Sequence, residues 1–170
     1  MTRIRAALLA AAAPLALAAC GEEEAALEEP VVEVAADLGE APEGAFGVES
    51  EDDYDEYLLE PAGRPAYLFA ADTRAEGDQP PELACADECR TIWPPVTVEP
   101  DQLQAAEGVD ASKLRVWPDG PVENLVTYDG WPLYTYERDD PDAPPYGHAK
   151  ESYGGQWLLM GVDAQPLPSG

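Results

Sequence analysis

Short apolar runs separated by turn residues between Phe46 and Asp163 predict an all-β domain, with two four-stranded pseudo-repeats packed into one small sandwich or barrel and one or two short helical turns. Three observations lead there. The chain carries 18 prolines, which argues against long helices because proline lacks the amide that a helix interior needs. Asp129-Gly130 between two apolar runs is a strong two-residue hairpin signal. Finally, Gly63-Arg64-Pro65-Ala66-Tyr67-Leu68-Phe69-Ala70-Ala71-Asp72 aligns without a gap on Gly130-Trp131-Pro132-Leu133-Tyr134-Thr135-Tyr136-Glu137-Arg138-Asp139, the copies sharing Gly, Pro, Tyr, an aromatic and Asp.

In chain order, the first repeat (about 45–99) opens with strand patterns at Phe46 to Glu49 and Tyr57 to Leu59, followed by the motif strand at Tyr67 and a last strand at Trp93 to Val98. Between the last two, Leu83 to Ile92 reads as helical, and Pro100 to Glu107 is a proline-led helical start in the linker. The second repeat (about 112–163) has Leu114 to Trp117, a turn at Pro118-Asp119-Gly120, and then Asn124 to Tyr128, whose Val126, Thr127 and Tyr128 suit a pleated surface. Leu133 to Tyr136 follows the Asp129-Gly130 turn, and Trp157 to Val162 matches Trp93 to Val98. The β domain is expected over 45–165, with a flexible tail at 166–170.

The first 44 residues have a different character. Arg3 and Arg5 precede a short apolar run ending in Leu17-Ala18-Ala19-Cys20, which reads as a secretory signal closed by a lipobox. Residues 1–19 are then a cleaved signal peptide, and Cys20 becomes the lipidated first residue, with diacylglycerol on its sulfur and an acyl chain such as palmitate on its amine. The apolar run is shorter than the ~20 residues needed to cross a bilayer, so the lipid anchors the protein to the membrane without a spanning segment. Acidic residues dominate from Glu22 to Glu60 without a basic residue between them, and residues 20–44 are expected to form a disordered acidic tether. Glu51-Asp52-Asp53-Tyr54-Asp55-Glu56 lacks the glycine turn and spaced ligands of a calcium loop and reads as a solvated charge run.

Whole-chain charge is −26, and removing Arg3 and Arg5 leaves 7 basic against 35 acidic residues, 7 − 35 = −28. Nucleic acid is excluded as a partner, since its binding depends on lysine and arginine. Gly21 stands where an inner-membrane retention signal often places Asp. The expected location is the cell envelope: the outer membrane facing the periplasm in a diderm host, or otherwise the outer face of the plasma membrane.

Within each motif strand, alternation places Tyr67 with Phe69 and Tyr134 with Tyr136 on one face, an aromatic pair for core packing or for ligand stacking. Asp72 and Asp139 fall where those strands end, placed to accept turn amides or a tyrosine hydroxyl. These residues, with Trp93 and Trp157, are the motif positions. The chain here resembles a family of predicted bacterial lipoproteins with a Tyr-x-(Phe/Trp/Tyr)-x-x-Asp motif, built from secreted repeats of unassigned function. The likeness covers roughly Phe46 to Asp163 and includes Cys85-x-x-x-Cys89-x-x-x-Trp93-Pro94-Pro95 and Trp117-Pro118-Asp119-Gly120. It implies a lipid-anchored envelope protein and no particular activity. Many members carry a histidine after the final tryptophan; Leu158 stands there, so this chain lacks any ligand role at that position.

With Cys20 lipidated, Cys85 and Cys89 remain in an oxidising compartment and are expected to form one disulfide; four residues apart on a helical turn, their Cα atoms would lie about 6 Å apart. His148, the only histidine, is a loop residue and a weak candidate copper or zinc ligand beside Met160 or Asp139, Asp140 and Asp142. No nucleophile elbow, second histidine or glycine-rich phosphate loop is present, so no catalytic residue and no cofactor is predicted. The expected function is a non-catalytic binding or structural module of the envelope, its partners being the membrane and an envelope protein or glycan. The alternative is a metal-binding or electron-transfer accessory lipoprotein.

Overall fold

The computed structural model describes residues 44–169; the expected signal peptide, Cys20 and the expected tether up to residue 43 lie outside the described residues. The regular structure of the described chain is mostly strand, in three small antiparallel sheets. β1 (Gly47–Glu51) pairs with β2 (Tyr54–Leu59). β3 (Tyr67–Phe69) pairs with β8 (Gly155–Leu159), which also pairs with β7 (Lys150–Ser152). β4 (Leu114–Trp117), β5 (Leu125–Tyr128) and β6 (Trp131–Pro132) form the third sheet in that order. Among the described residues, helix is confined to α1 (Cys89–Ile92) and two 3-10 turns, Pro100–Gln102 and Ala111–Lys113.

Both two-residue hairpins have left-handed φ at each turn position, as a type I′ turn requires. Asp129 and Gly130 (φ 47° and 83°) join β5 to β6, and Tyr153 and Gly154 (φ 54° and 89°) join β7 to β8. The first is the expected Asp-Gly turn. The second places a tyrosine in a conformation that bulky residues rarely adopt.

Several expected elements are shorter or displaced. The helix anticipated over Leu83 to Ile92 starts only at Cys89, because Asp87 takes a left-handed φ of 48° that no α-helix accommodates. The helical start at Pro100 stops after one 3-10 turn. Leu133 to Tyr136 makes no continuous ladder; its neighbours include Pro94 and Pro95, which cannot donate, so pairing is reduced to single bonds such as Thr135 N to Pro94 O at 3.0 Å. The tail expected to be flexible from residue 166 is packed as far as Pro168. Leu167 is buried and its N–H donates to Leu159 O at 3.0 Å, and the His148 ring bonds Pro168 O at 3.1 Å.

Alternation along β3 and β8 divides the core in two. Leu68, Leu158 and Met160 face an aliphatic cluster with Phe46, Leu58, Val96, Val126 and Leu133. Tyr67, Phe69, Trp157 and Leu159 face an aromatic cluster with Trp93, Tyr134, Tyr136 and both cysteines. Strands covered on both faces read as apolar runs, which is why Tyr67-Leu68-Phe69 and Trp157-Leu158-Leu159 have no polar positions.

One hydrogen-bond circuit occurs twice. Leu58 N donates to Met160 O (2.8 Å), Met160 N to Ala66 O (3.0 Å) and Ala66 N to Leu58 O (2.8 Å). Val126 N donates to Val96 O (2.9 Å), Val96 N to Leu133 O (2.8 Å) and Leu133 N to Val126 O (3.1 Å). The segment after Trp157 therefore lies with β2 and β3, and the segment after Trp93 lies with β5 and Leu133.

Candidate functional site: crossed tyrosine–aspartate pairs around a tryptophan stack

Where β3 meets the Leu133–Tyr136 segment, Tyr67 N donates to Tyr134 O (2.8 Å) and Tyr134 N donates to Tyr67 O (2.9 Å). The two motif tyrosines thus sit directly opposite one another. Their hydroxyls then cross between motifs. Tyr67 Oη donates to Asp139 Oδ2 at 2.5 Å, and Tyr134 Oη donates to Asp72 Oδ2 at 2.6 Å. Each tyrosine is bonded to the aspartate of the other motif.

The aspartates are held in equivalent ways. Asp72 N donates to Phe69 O (3.0 Å) and Asp139 N to Tyr136 O (3.1 Å), so each closes the end of its strand with a turn. Their second carboxylate oxygens accept more distant amides: Ala84 N to Asp72 Oδ1 at 2.7 Å, and Tyr146 N to Asp139 Oδ1 at 2.9 Å. Both carboxyls are buried. Burial raises each above the ordinary aspartate pKa, while the tyrosine hydroxyl and the backbone amides, of Ala84 and Cys85 on one and of Tyr146 and Gly147 on the other, act in the opposite direction. Tyr67 and Tyr134 are raised by burial first and then by the facing carboxylate, so they stay protonated donors.

Between the pairs lies a stack of four rings. Trp93 and Trp157 are parallel at a centroid distance of 4.0 Å and an interplanar angle of 1°. Phe69 continues it beyond Trp157 at 4.1 Å, and Tyr136 beyond Trp93 at 4.4 Å. Tyr67 meets Trp93 edge-on at 5.4 Å, and Tyr134 meets Trp157 edge-on at 5.1 Å. Offset-stacked and T-shaped contacts are the favoured aromatic geometries, each contributing about 0.5–1.5 kcal/mol beyond area burial. Every motif ring is buried, Tyr136 being the most exposed at 6%, so the aromatic pairs face the core and offer no ligand-stacking surface.

Cys85 and Cys89 form a disulfide with Cα atoms 5.4 Å apart, within the same aromatic cluster. Cys85 lies outside α1, so the bridge closes a turn that leads into the helix, and Arg90 Nε donates to Cys85 O across it at 3.0 Å. His148 is fully engaged: Nδ1 accepts from Leu159 N at 3.1 Å and Nε2 bonds Pro168 O at 3.1 Å, which makes Nε2 the protonated nitrogen. The ring has no free lone pair for a metal, and no group of three or more His, Cys, Asp or Glu side chains is placed to hold one among the described residues.

Gly147 also belongs to the site. Its N–H donates to Tyr67 Oη at 3.2 Å, and an added Cβ would lie 2.6 Å from Tyr67 Cζ and 2.9 Å from Trp93 Cη2. Nothing in Pro144-Pro145-Tyr146-Gly147-His148 signals that approach, because the partners are distant in sequence. Away from the core, a recess of about 690 Å³ is lined by side chains that hydrogen-bond, including Glu99, Gln102, Gln104, Glu123 and Asn124. Comparison of the chain with protein-family models, with curated proteins and with solved structures returned no match.

Proposed function

We propose that the chain is a lipid-anchored envelope protein acting as a non-catalytic binding or structural module, built from two copies of one unit that exchange their last strand. The supporting observation is the crossed pair of Tyr–Asp bonds: the residues that define the motif are engaged with one another across the two copies. The repeated hydrogen-bond circuits support the same reading, since the Trp157 segment completes the first copy and the Trp93 segment the second. The motif is then a clasp, and partner recognition belongs to the surface. The recess beside Glu99 and Asn124, rich in donors and acceptors, suits a polar partner such as a glycan or a polar protein loop.

Anchoring rests on Leu17-Ala18-Ala19-Cys20 and on the resemblance to the Tyr-x-(aromatic)-x-x-Asp lipoproteins. With Gly21 after the lipidated cysteine, the anchor belongs in the outer membrane of a diderm host, facing the periplasm, or on the outer face of the plasma membrane of a monoderm one. Cys20→Ser is the test. The variant should leave the membrane fraction or accumulate unprocessed, while near-ultraviolet circular dichroism of the domain stays unchanged. Normal acylation and membrane retention of that variant would overturn the proposal.

A further inference from the structure

The aromatic centre has a property that packing alone does not require, and it goes beyond the binding or structural reading. Trp93 and Trp157 are stacked in contact, so a positive charge on one indole is shared with the other. The Trp157 Nε1–H is buried and has no acceptor among the described residues. An oxidised tryptophan is usually trapped when its indole proton leaves, and no described protein group stands at hydrogen-bond distance from Trp157 Nε1 to take it. The adjoining tyrosines are the reverse case, each with its hydroxyl already at 2.5 or 2.6 Å from a buried carboxylate. Proton transfer needs a partner at about 2.6–3.2 Å, and these distances meet that requirement without rearrangement.

We propose that the stack is a one-electron relay in which an electron is withdrawn from the Trp93–Trp157 pair by an outer-sphere oxidant of the radical or high-valent metal class and is replaced from Tyr67 or Tyr134. The oxidant gains one electron and the tryptophan pair becomes a radical cation. Tyr67 then reduces that cation; its O–H bond breaks, the proton moves to Asp139 Oδ2, and a neutral tyrosyl radical remains beside a carboxylic acid. Tyr134 and Asp72 do the same on the other side. A one-electron donor restores the tyrosine, and the proton returns from the carboxyl.

Tyr136 is the end of the stack nearest the surface. It borders a recess with Ile92, Lys150 and Tyr153, where an oxidant or a reductant can approach. The Lys150 ammonium lies 5.5 Å from the centre of the Tyr136 ring. That cation opposes positive charge on Tyr136, whereas the carboxylates favour it at Tyr67 and Tyr134. The oxidising equivalent is thereby favoured at Tyr67 and Tyr134 over Tyr136.

The test is ultraviolet laser photoionisation of tryptophan in the full chain, with the ejected electron scavenged by nitrous oxide and the radicals followed by transient absorption. Tryptophanyl absorption should convert to tyrosyl absorption in a first-order step that is independent of protein concentration and slower in deuterium oxide. Trp117→Phe/Trp131→Phe, which leaves only the stacked pair, should keep that step. Tyr67→Phe/Tyr134→Phe should lose it, and Asp72→Asn/Asp139→Asn should slow it. An undiminished tyrosyl yield in Tyr67→Phe/Tyr134→Phe, or no conversion in Trp117→Phe/Trp131→Phe, overturns the proposal. Circular dichroism checks that each variant is folded. If Tyr67→Phe/Tyr134→Phe does not fold, the solvent isotope effect in the wild type decides, and its absence is the overturning result.

Discussion

Because the tyrosine–aspartate bonds cross between motifs, a double-mutant cycle can distinguish the crossed arrangement from one contained within each motif. Tyr67→Phe removes a hydroxyl that donates to Asp139 at 2.5 Å and accepts from Gly147 N at 3.2 Å, with little change in volume. Hydrogen bonds to charged groups contribute about 1.5–3 kcal/mol, so this variant should lose about 2 kcal/mol. Asp139→Ala strands the Tyr67 hydroxyl and the Tyr146 amide together and should cost about 1–3 kcal/mol. The double variant should lose less than the sum, with a coupling of about 1–2 kcal/mol, as for directly bonded residues. Tyr67→Phe combined with Asp72→Ala, two changes within one motif, should instead add to within about 0.5 kcal/mol. Urea unfolding of the three singles and two doubles reads both cycles. A coupling as large for Tyr67 with Asp72 as for Tyr67 with Asp139 would refute the crossed clasp.

Gly147→Ala should destabilise by about 1–3 kcal/mol in the same urea assay, because its new methyl overlaps Tyr67 and Trp93, both fixed in the core. Intact mass without reductant should place Cys85 and Cys89 two hydrogens below the dithiol, as one bridge requires, and the double Ala variant should fold with a loss of about 2 kcal/mol or less, since so short a loop restrains the unfolded chain only slightly. Melting temperature should rise as pH falls from neutrality toward the ordinary aspartate range. Asp72 and Asp139 have raised folded-state pKa values, so the folded protein takes up protons before the unfolded chain does; their stabilisation is complete below the unfolded pKa and is lost as pH climbs through the folded one. General relief of charge repulsion has the same sign, so the diagnostic result is a flatter profile in Asp72→Asn/Asp139→Asn, and an unchanged profile would count against the burial argument.

Much of the local structure was legible because it depends on near neighbours. β4, β5 and the Asp129-Gly130 turn follow from β-favouring residues and from the φ that Asp-Gly tolerates. The common facing of Tyr67 and Phe69 follows from strand alternation. Other features had no local signal. The β7–β8 turn at Tyr153-Gly154 holds a tyrosine where Asn or Asp is usual, so only the tertiary structure accounts for it. The late start of the 83–92 helix, at Cys89, goes with the left-handed backbone of Asp87, which no neighbouring residue announces. Crossing was invisible for a different reason: two matched copies of Tyr and Asp fit bonding within a copy and bonding between copies equally well, and only the three-dimensional path separates them.

Hydrogen bonds between the two motif-bearing halves of the chain make them interdependent. Leu58 and Ala66 close their circuit only with Met160, and Val126 and Leu133 only with Val96. Removing the second half would strip the first of Met160, of Trp157 stacked on Trp93 and of the carboxylate that accepts from Tyr67. Each loss leaves buried backbone or side-chain groups unpaired, at about 1–3 kcal/mol per group. Together they are comparable with the whole stability of a small domain, about 5–15 kcal/mol. Neither half is therefore expected to fold alone, and the short β3 and the extended Leu133–Tyr136 segment keep their places because each is held from both sides by the other half of the chain.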